Sequence, residues 1–251
     1  MLAGRLENVW VDFRDQRRRL GRRHAWRSAL REITLDLPEG EKLAVIGGNG
    51  SGKTTLLRTI AGIYEPTRGS AEIHGRVVSV IEVDSGAGRD MTGRENLQLL
   101  AVLFGLSRSE LRRRYDHILS LTGLSADDLD QPVYTYSAGM KLRLHFALAV
   151  GCAPVVLAVD ETLSVADEAF QAHCIESMDE LSRRGTTVVL ASHDLDLVTR
   201  WADRTVVLDQ GRILLDATPA EAVAYYRDRF GDQHAAHRAG EAGVRVVGFT
   251  S

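Results

Sequence analysis

Residues 47–54 read Gly-Gly-Asn-Gly-Ser-Gly-Lys-Thr, and a later apolar run, Val155-Val156-Leu157-Ala158-Val159, ends in Asp160-Glu161. Between them lies Tyr136-Ser137-Ala138-Gly139-Met140, and beyond them His193 closes a second apolar run, Val188-Val189-Leu190-Ala191-Ser192. The spacing Gly47-x4-Gly52-Lys53-Thr54 after a strand-like run is that of a loop that wraps an anion in backbone amides. Gly47, Gly50 and Gly52 permit the turn that points the amides inward. The helix that follows adds a partial positive charge at its start. Asn49, Ser51, Lys53, Thr54 and Thr55 complete the candidate phosphate-binding set, with Lys53 neutralising terminal phosphates and the Thr54 hydroxyl facing Mg2+.

Carboxylates at the end of an apolar strand stand where an open α/β sheet presents its ligands. Asp160 suits a magnesium ion, directly or through water, and Glu161 suits polarisation of an attacking water. His193, at another strand end, suits contact with a phosphate. Each feature has a plainer reading by itself: a glycine-rich turn, a helix-capping carboxylate pair, a structural histidine. Their combination favours the splitting of a nucleoside triphosphate. Ser137-Ala138-Gly139 at a helix start makes a second anion-binding end. One chain cannot easily aim it at its own loop across the intervening residues, whereas a second copy can. Two subunits that complete each other's sites are therefore expected.

The elements that must position these residues follow from periodicity and punctuation. Strands are expected at Leu6–Phe13, Ile33–Leu37, Lys42–Gly47, the two halves of Ser70–Ile81 around Gly75, Val155–Val159 and Thr186–Ala191. A hairpin is expected at Arg204–Leu208 and Arg212–Asp216 around Gln210-Gly211. Helices are expected from Lys53 to Ala61, throughout Thr92–Leu124, from a Ser137 cap to Gly151, and over Asp167–Arg183, Leu195–Trp201 and Pro219–Phe230. Ser107 and Glu110 have capping-box spacing. Strands alternating with helices argue for a parallel sheet covered on both faces, interrupted by a helical insertion at 92–151. Residues 231–243, rich in Ala, Gly and His, read as a mobile tail.

A chain of 251 residues can bury a large core. Its net charge of −3 gives no bulk reason to expect a nucleic-acid partner. Lysine occurs at 42, 53 and 141 alone, so Lys53 stands out in an arginine-rich chain. Cys152 and Cys174 lack metal-site spacing and are expected to be reduced packing residues of a cytosolic protein. The start lacks a cleavable-signal pattern, and no run reaches the roughly 20 apolar residues that span a bilayer. A soluble chain, brought to any membrane by another polypeptide, is the expectation. Residues 14–31 carry eight arginines. Two readings stand for that segment: a solvated basic loop, or a surface lying near anionic lipid or an anionic substrate.

The order of phosphate loop, signature, acidic strand end and histidine resembles the ATP-binding cassette ATPases over roughly residues 5–230. More narrowly it resembles the ATPase subunits of exporters of O-antigen, capsule, teichoic acid or galactan. The carriers are Glu82-x5-Gly88 leading to Thr92-Gly93-Arg94-Glu95-Asn96, the Tyr136-Ser137-x-Gly139-Met140 signature, Asp160-Glu161 with Asp167-Glu168-Ala169-Phe170-Gln171, and Gly62-Ile63-Tyr64-Glu65-Pro66-Thr67-x-Gly69.

The resemblance implies an α/β P-loop NTPase with a mostly parallel sheet, N-terminal antiparallel strands and an inserted helical subdomain. It places the nucleotide-binding core at 1–91 and 152–230, the helical subdomain at 92–151 and a tail at 231–251. Ser137 and Gly139 match the phosphate-contacting pair of the signature, and Ala138 departs from the Ser or Gly of many relatives. Asp167 matches an aspartate that touches the opposite subunit. Glu82 stands where most transport ATPases carry a glutamine near the metal that couples the site to the membrane subunit. Either Phe13, in the usual place, or Trp26, nearer the following strand, stacks on adenine. Val244–Phe249 alternates like a strand, either by chance or as the start of a truncated sugar-binding domain.

The implied function is ATP hydrolysis with Mg2+ by a homodimer, peripheral on the cytoplasmic face of the plasma membrane. It would drive an integral permease that moves a lipid-linked glycan. The alternatives are an exporter of a non-glycan substrate, an ATP-dependent switch without transport, and a small-molecule phosphotransferase. Long coiled-coil insertions and fused cassettes, usual in the switches, do not occur here, and residues 65–130 show no acceptor pocket.

Overall fold

The computed structural model describes residues 1–15, 25–81, 88–161, 163 and 167–241. Strand β1 (Leu2–Asp15) pairs antiparallel with β2 (Ala25–Pro38) on one side and β4 (Arg68–Ile73) on the other. The second sheet has the order β5 (Val77–Val80), β6 (Val156–Val159), β7 (Thr187–Ala191), β3 (Lys42–Ile46), β8 (Arg204–Asp209) and β9 (Arg212–Ala217). Its neighbours are parallel except β9, which returns antiparallel on β8.

The uniform apolarity of the central strands is explained by burial on both faces. On β7, Val189 and Ala191 enter the core shared with the antiparallel sheet and helix α1 (Lys53–Ile60), while Val188 and Leu190 enter the core shared with the helical insertion. On β3, Leu43 and Val45 face the first of those cores, and Ala44 and Ile46 pack with helices α7 (Leu195–Trp201) and α8 (Pro219–Glu241). Leu56 and Leu57 of α1 are wholly buried. Truncating one of them to Ala would cost about 2–5 kcal/mol.

The insertion holds α2 (Gly93–Leu103), α3 (Arg108–Thr122), α4 (Ala126–Leu129) and α5 (Ala138–Gly151). Capping boxes start α2 at Thr92/Glu95, α3 at Ser107/Glu110 and α4 at Ser125/Asp128. The helical stretch expected over Thr92–Leu124 is divided by a break at Gly105, and the second helix starts at the Ser107 cap that its spacing suggests. At Gly105 φ is 76°, Leu106 N donates to Ala101 O and Gly105 N to Val102 O, the bond pair that ends a helix on a left-handed residue. Gly151 fits the α3–α5 contact because a Cβ there would lie 2.3 Å from Ile118 Cγ1. Helix α6 (Glu168–Arg183) then leads from β6 to β7.

Two further expectations differ from the structure. The first two strands are longer than the sequence pattern suggests, because bulges with positive φ at Asn8 (47°) and Glu32 (54°) interrupt the period-two alternation. The expected tail from 231 begins as a continuation of α8 to Glu241, in a stretch whose alanines, glutamine and arginine are good helix formers. The possible strand at Val244–Phe249 and the arginines at 17–23 lie outside the described residues. Both cysteines are buried and unpaired, and burial pushes each thiol up to about 12.

Candidate active site

Because β3, β6 and β7 are parallel neighbours, their C-terminal ends open on one edge of the sheet. That edge gathers the Gly47–Thr54 loop, Asp160-Glu161 and Ser192-His193. Elements distant in sequence thus bring lysine, carboxylates and histidine together.

The loop takes its shape from close backbone approaches. A Cβ on Gly47 would sit 2.2 Å from Leu208 O, and one on Gly52, where φ is 113°, would sit 2.9 Å from Ala29 O. Gly211 N donates to Ser51 O (2.8 Å) and Arg31 N donates to Gly211 O (2.7 Å). The phosphate loop is therefore tied to the β8–β9 turn, and that turn to β2.

Lys53 Nζ donates to Gly47 O (2.8 Å) and Gly48 O (3.3 Å) and lies 3.0 Å from Glu161 Oε1. The other oxygen of Glu161, Oε2, is 3.4 Å from His193 Nδ1. Glu161 therefore stands between the loop lysine and the histidine. Thr54 Oγ1 donates to Asp160 Oδ2 at 2.9 Å, and Glu161 N donates to Asp160 Oδ1 at 2.9 Å.

These residues fit a nucleotide and its metal. The cleft over the loop has a volume of about 980 Å³, and in its floor Ser51 Oγ is buried without a hydrogen-bond partner among the described residues. A hydroxyl beside a carboxylate, open to a cleft that takes phosphates, matches the way Mg2+ is held by one or two protein oxygens plus substrate oxygens and water. Glu82, the other expected metal residue, lies outside the described residues.

Phe13 lines the cleft together with residues 49–55, Asp160 and Glu161, while His193 lines an adjoining cleft that shares Asp160 and Glu161. The Phe13 ring meets Tyr64 edge-on at 5.2 Å, and it stays 39% exposed, so one face is available for stacking. Trp26 does not line the cleft. It pairs across the hairpin with Arg14, whose guanidinium lies 5.5 Å from its ring centroid.

Ser137, Gly139 and Asp167 are also outside the cleft. Ser137 caps α5, its Oγ accepting from Met140 N at 3.1 Å; Ser137 is exposed and Gly139 half-buried. Asp167 caps α6 by accepting from Phe170 N at 2.9 Å and also accepts from Arg143 at 2.7 Å. Those two bonds hold its carboxyl below the usual carboxylate range.

Several cleft residues escaped the sequence reading: Arg14, Arg27, Ser28, Arg31 and Gln210. The arginines were visible only as part of a basic run. Gln210, with φ of 46°, carries only a turn signal in the sequence. Arg143 carried no signal that would link it to Asp167.

Comparison with known proteins agrees with this geometry. The family profile described as ABC transporter matches residues 30–164. The O-antigen export system ATP-binding protein RfbB of Myxococcus xanthus is 41% identical over 80% of this chain and 46% of its own length. The teichoic acids export ATP-binding protein TagH of Lactococcus lactis subsp. lactis is 38% identical over 79% of this chain and 42% of its own length. The chain thus spans less than half the length of either relative. A dimeric structure of the ATP-binding cassette MJ0796 in a post-hydrolysis state with ADP and Pi superposes with a TM-score of 0.74 over 86% of this chain and 98% of that one. At 22% identity, that likeness speaks for the fold. The chain belongs to the ABC transporter family as one of its ATP-binding cassettes, and its sequence groups with the ATP-binding proteins of O-antigen and teichoic acid export.

Proposed function

We propose that this chain is the ATP-hydrolysing subunit of an exporter that moves a lipid-linked polysaccharide across the cytoplasmic membrane. The observation that carries the hydrolytic part is the placement of Glu161 between Lys53 and His193, next to the Thr54–Asp160 pair. The glycan part is supported by the export systems for which RfbB and TagH are named.

In this reading the amides of residues 49–55 hold the phosphate chain, and Lys53 turns from its carbonyl partners toward the terminal phosphates. Phe13 stacks on the base. Glu161 accepts a proton from a water whose oxygen bonds to the γ-phosphorus. The bond from that phosphorus to the β–γ bridging oxygen breaks, and ADP leaves with the electron pair. His193 donates to the γ-phosphate and fixes the carboxylate of Glu161. Thr54 and Asp160 would hold Mg2+, which would supply charge neutralisation at the phosphates when bound.

Ser137 and Gly139 lie outside their own cleft, which supports a homodimer in which each signature helix seals the partner's nucleotide. Asp167 is assigned to the same subunit contact. The insertion at 92–151 and Glu82 are assigned to contact with an integral permease, and residues 1–91 with 152–230 to the nucleotide-binding core. No helix among the described residues is long and apolar enough to cross a membrane. A peripheral place on the cytoplasmic face, held by the permease, is the proposed location.

Phosphate release by the purified protein tests the enzyme. Glu161→Gln should keep ATP binding while turnover falls by about 10²- to 10⁴-fold, and unchanged turnover contradicts the assignment. Deleting the protein tests the substrate. A lipid-linked polymer should accumulate inside the cell, and normal export of every surface glycan would refute that part of the proposal.

A further inference from the structure

Three arginines, at 14, 27 and 31, line the wall that the β1–β2 hairpin gives to the cleft. They differ in what already occupies them. Arg14 is stacked on Trp26, and Arg27 is exposed to solvent. Arg31 is partly buried, and its Nε has no accessible surface and no hydrogen-bond partner among the described residues. A desolvated guanidinium nitrogen without an acceptor is costly, and such a group in a native fold calls for a partner such as a water, an ion or a ligand.

The neighbouring carboxylates are otherwise engaged. Glu32 pairs with Arg212, Asp160 accepts from Thr54, and Glu161 faces Lys53 and His193. Among the described residues no anion is bonded to Arg31 Nε, and the buried Asp12 Oδ1 on the same hairpin is likewise without a partner.

Position along β2 indicates what the acceptor is. Arg27 stands directly across the hairpin from Phe13, the aromatic that marks the base end of the cleft. Arg31 lies four residues further along the strand, roughly 13 Å at about 3.3 Å per residue. There its backbone is bonded to the turn that supports Ser51. It belongs to the phosphate end.

Resting on the nucleotide reading above, we infer that Arg31 is a further nucleotide-binding residue whose guanidinium donates to an oxygen of the phosphate chain. A planar fork of donors suits a phosphate better than the point charge of lysine does.

Arg31→Ala and Arg31→Lys test this against the wild-type chain, with Mg·ATP, Mg·ADP and adenosine as ligands. Binding is read by calorimetry and, for adenosine, by displacement of a fluorescent nucleotide. Arg31→Ala should weaken both phosphorylated ligands by about tenfold or more. Adenosine affinity should not change, and Arg31→Lys should lose less. Melting of the ligand-free variants should not fall, because the substitution removes an unsatisfied donor. If Arg31→Ala binds Mg·ATP as the wild type does, or loses adenosine as much as ATP, Arg31 is not a phosphate ligand. If it instead unfolds, Arg31→Lys carries the test, and equal losses for adenosine and ATP there overturn the inference. A wild-type chain that binds no nucleotide overturns the parent reading along with it.

Discussion

Lys53 Nζ lies 3.0 Å from Glu161 Oε1, so the cation that the proposed function assigns to phosphate is held by the carboxylate it assigns to water. The same ammonium also donates to Gly47 O and Gly48 O and is only 7% exposed. A triphosphate entering the loop must draw Lys53 away from these partners. The carboxylate is thereby freed only when substrate arrives, which links binding to the availability of the base.

The pairing makes Glu161→Gln a binding variant as well as a catalytic one. A neutral amide competes less for the ammonium, so ATP affinity should rise by roughly threefold to tenfold. Calorimetric titration against the wild type measures it. Equal or weaker affinity would mean that the Lys53–Glu161 contact does not oppose substrate entry.

Gly52→Ala should damage both fold and site. With φ at 113° and Ala29 O at 2.9 Å from the new Cβ, an alanine must strain the loop or move β2. The expected cost is about 1–3 kcal/mol, read by urea unfolding, together with loss of ATP binding. Gly48→Ala is the control, because its Cβ would meet nothing within 4 Å. A comparable loss in Gly48→Ala would show that the effect is not specific to the strained position.

Much of this was legible in the residues. Val188–Ser192 and Val155–Val159 read as buried strands because both faces are covered, and their polar ends fell together because the strands are parallel. Ser107 and Glu110 marked the start of a second helix, whereas the stop at Gly105 was masked by the amphipathic pattern on either side of it. The bulge at Glu32 hid most of β2, since alternation fails where φ turns positive, whereas most of β1 was legible despite the bulge at Asn8. Arg31 could not be found from the sequence. Its unmet donor depends on the Gly211 turn and the Ser51 loop converging on β2, contacts with no local signal.

Acid should loosen the insertion through Glu110. Hydrogen bonds from the backbone and side chain of Ser107, with Arg76 beside them, lower its carboxyl from 4.5 to about 2. A depressed folded value means that the charged form contributes stability above the unfolded value. That contribution fades as pH falls from about 4.5 through about 2. Thermal melts of Glu110→Gln over that window should therefore decline less steeply than those of the wild type. Parallel curves would show that this cap and its contact with Arg76 do not contribute.

Asp167 joins α5 to α6, the helix that follows Asp160 and Glu161. It caps α6 through Phe170 N and accepts from Arg143 of α5, whose guanidinium also lies 4.4 Å from the Phe170 ring centroid. Asn can replace Asp as a cap but not as an ion-pair partner. Asp167→Asn should therefore cost less stability than Asp167→Ala, and Arg143→Ala should add little on the Asn background. Urea unfolding of the two single Asp167 variants, of Arg143→Ala and of the Asp167→Asn/Arg143→Ala double variant gives the ranking. Equal losses in Asn and Ala would mean that charge, not the cap, holds the start of α6. Full additivity of Arg143→Ala with Asp167→Asn would mean that Arg143 stabilises through Phe170 alone.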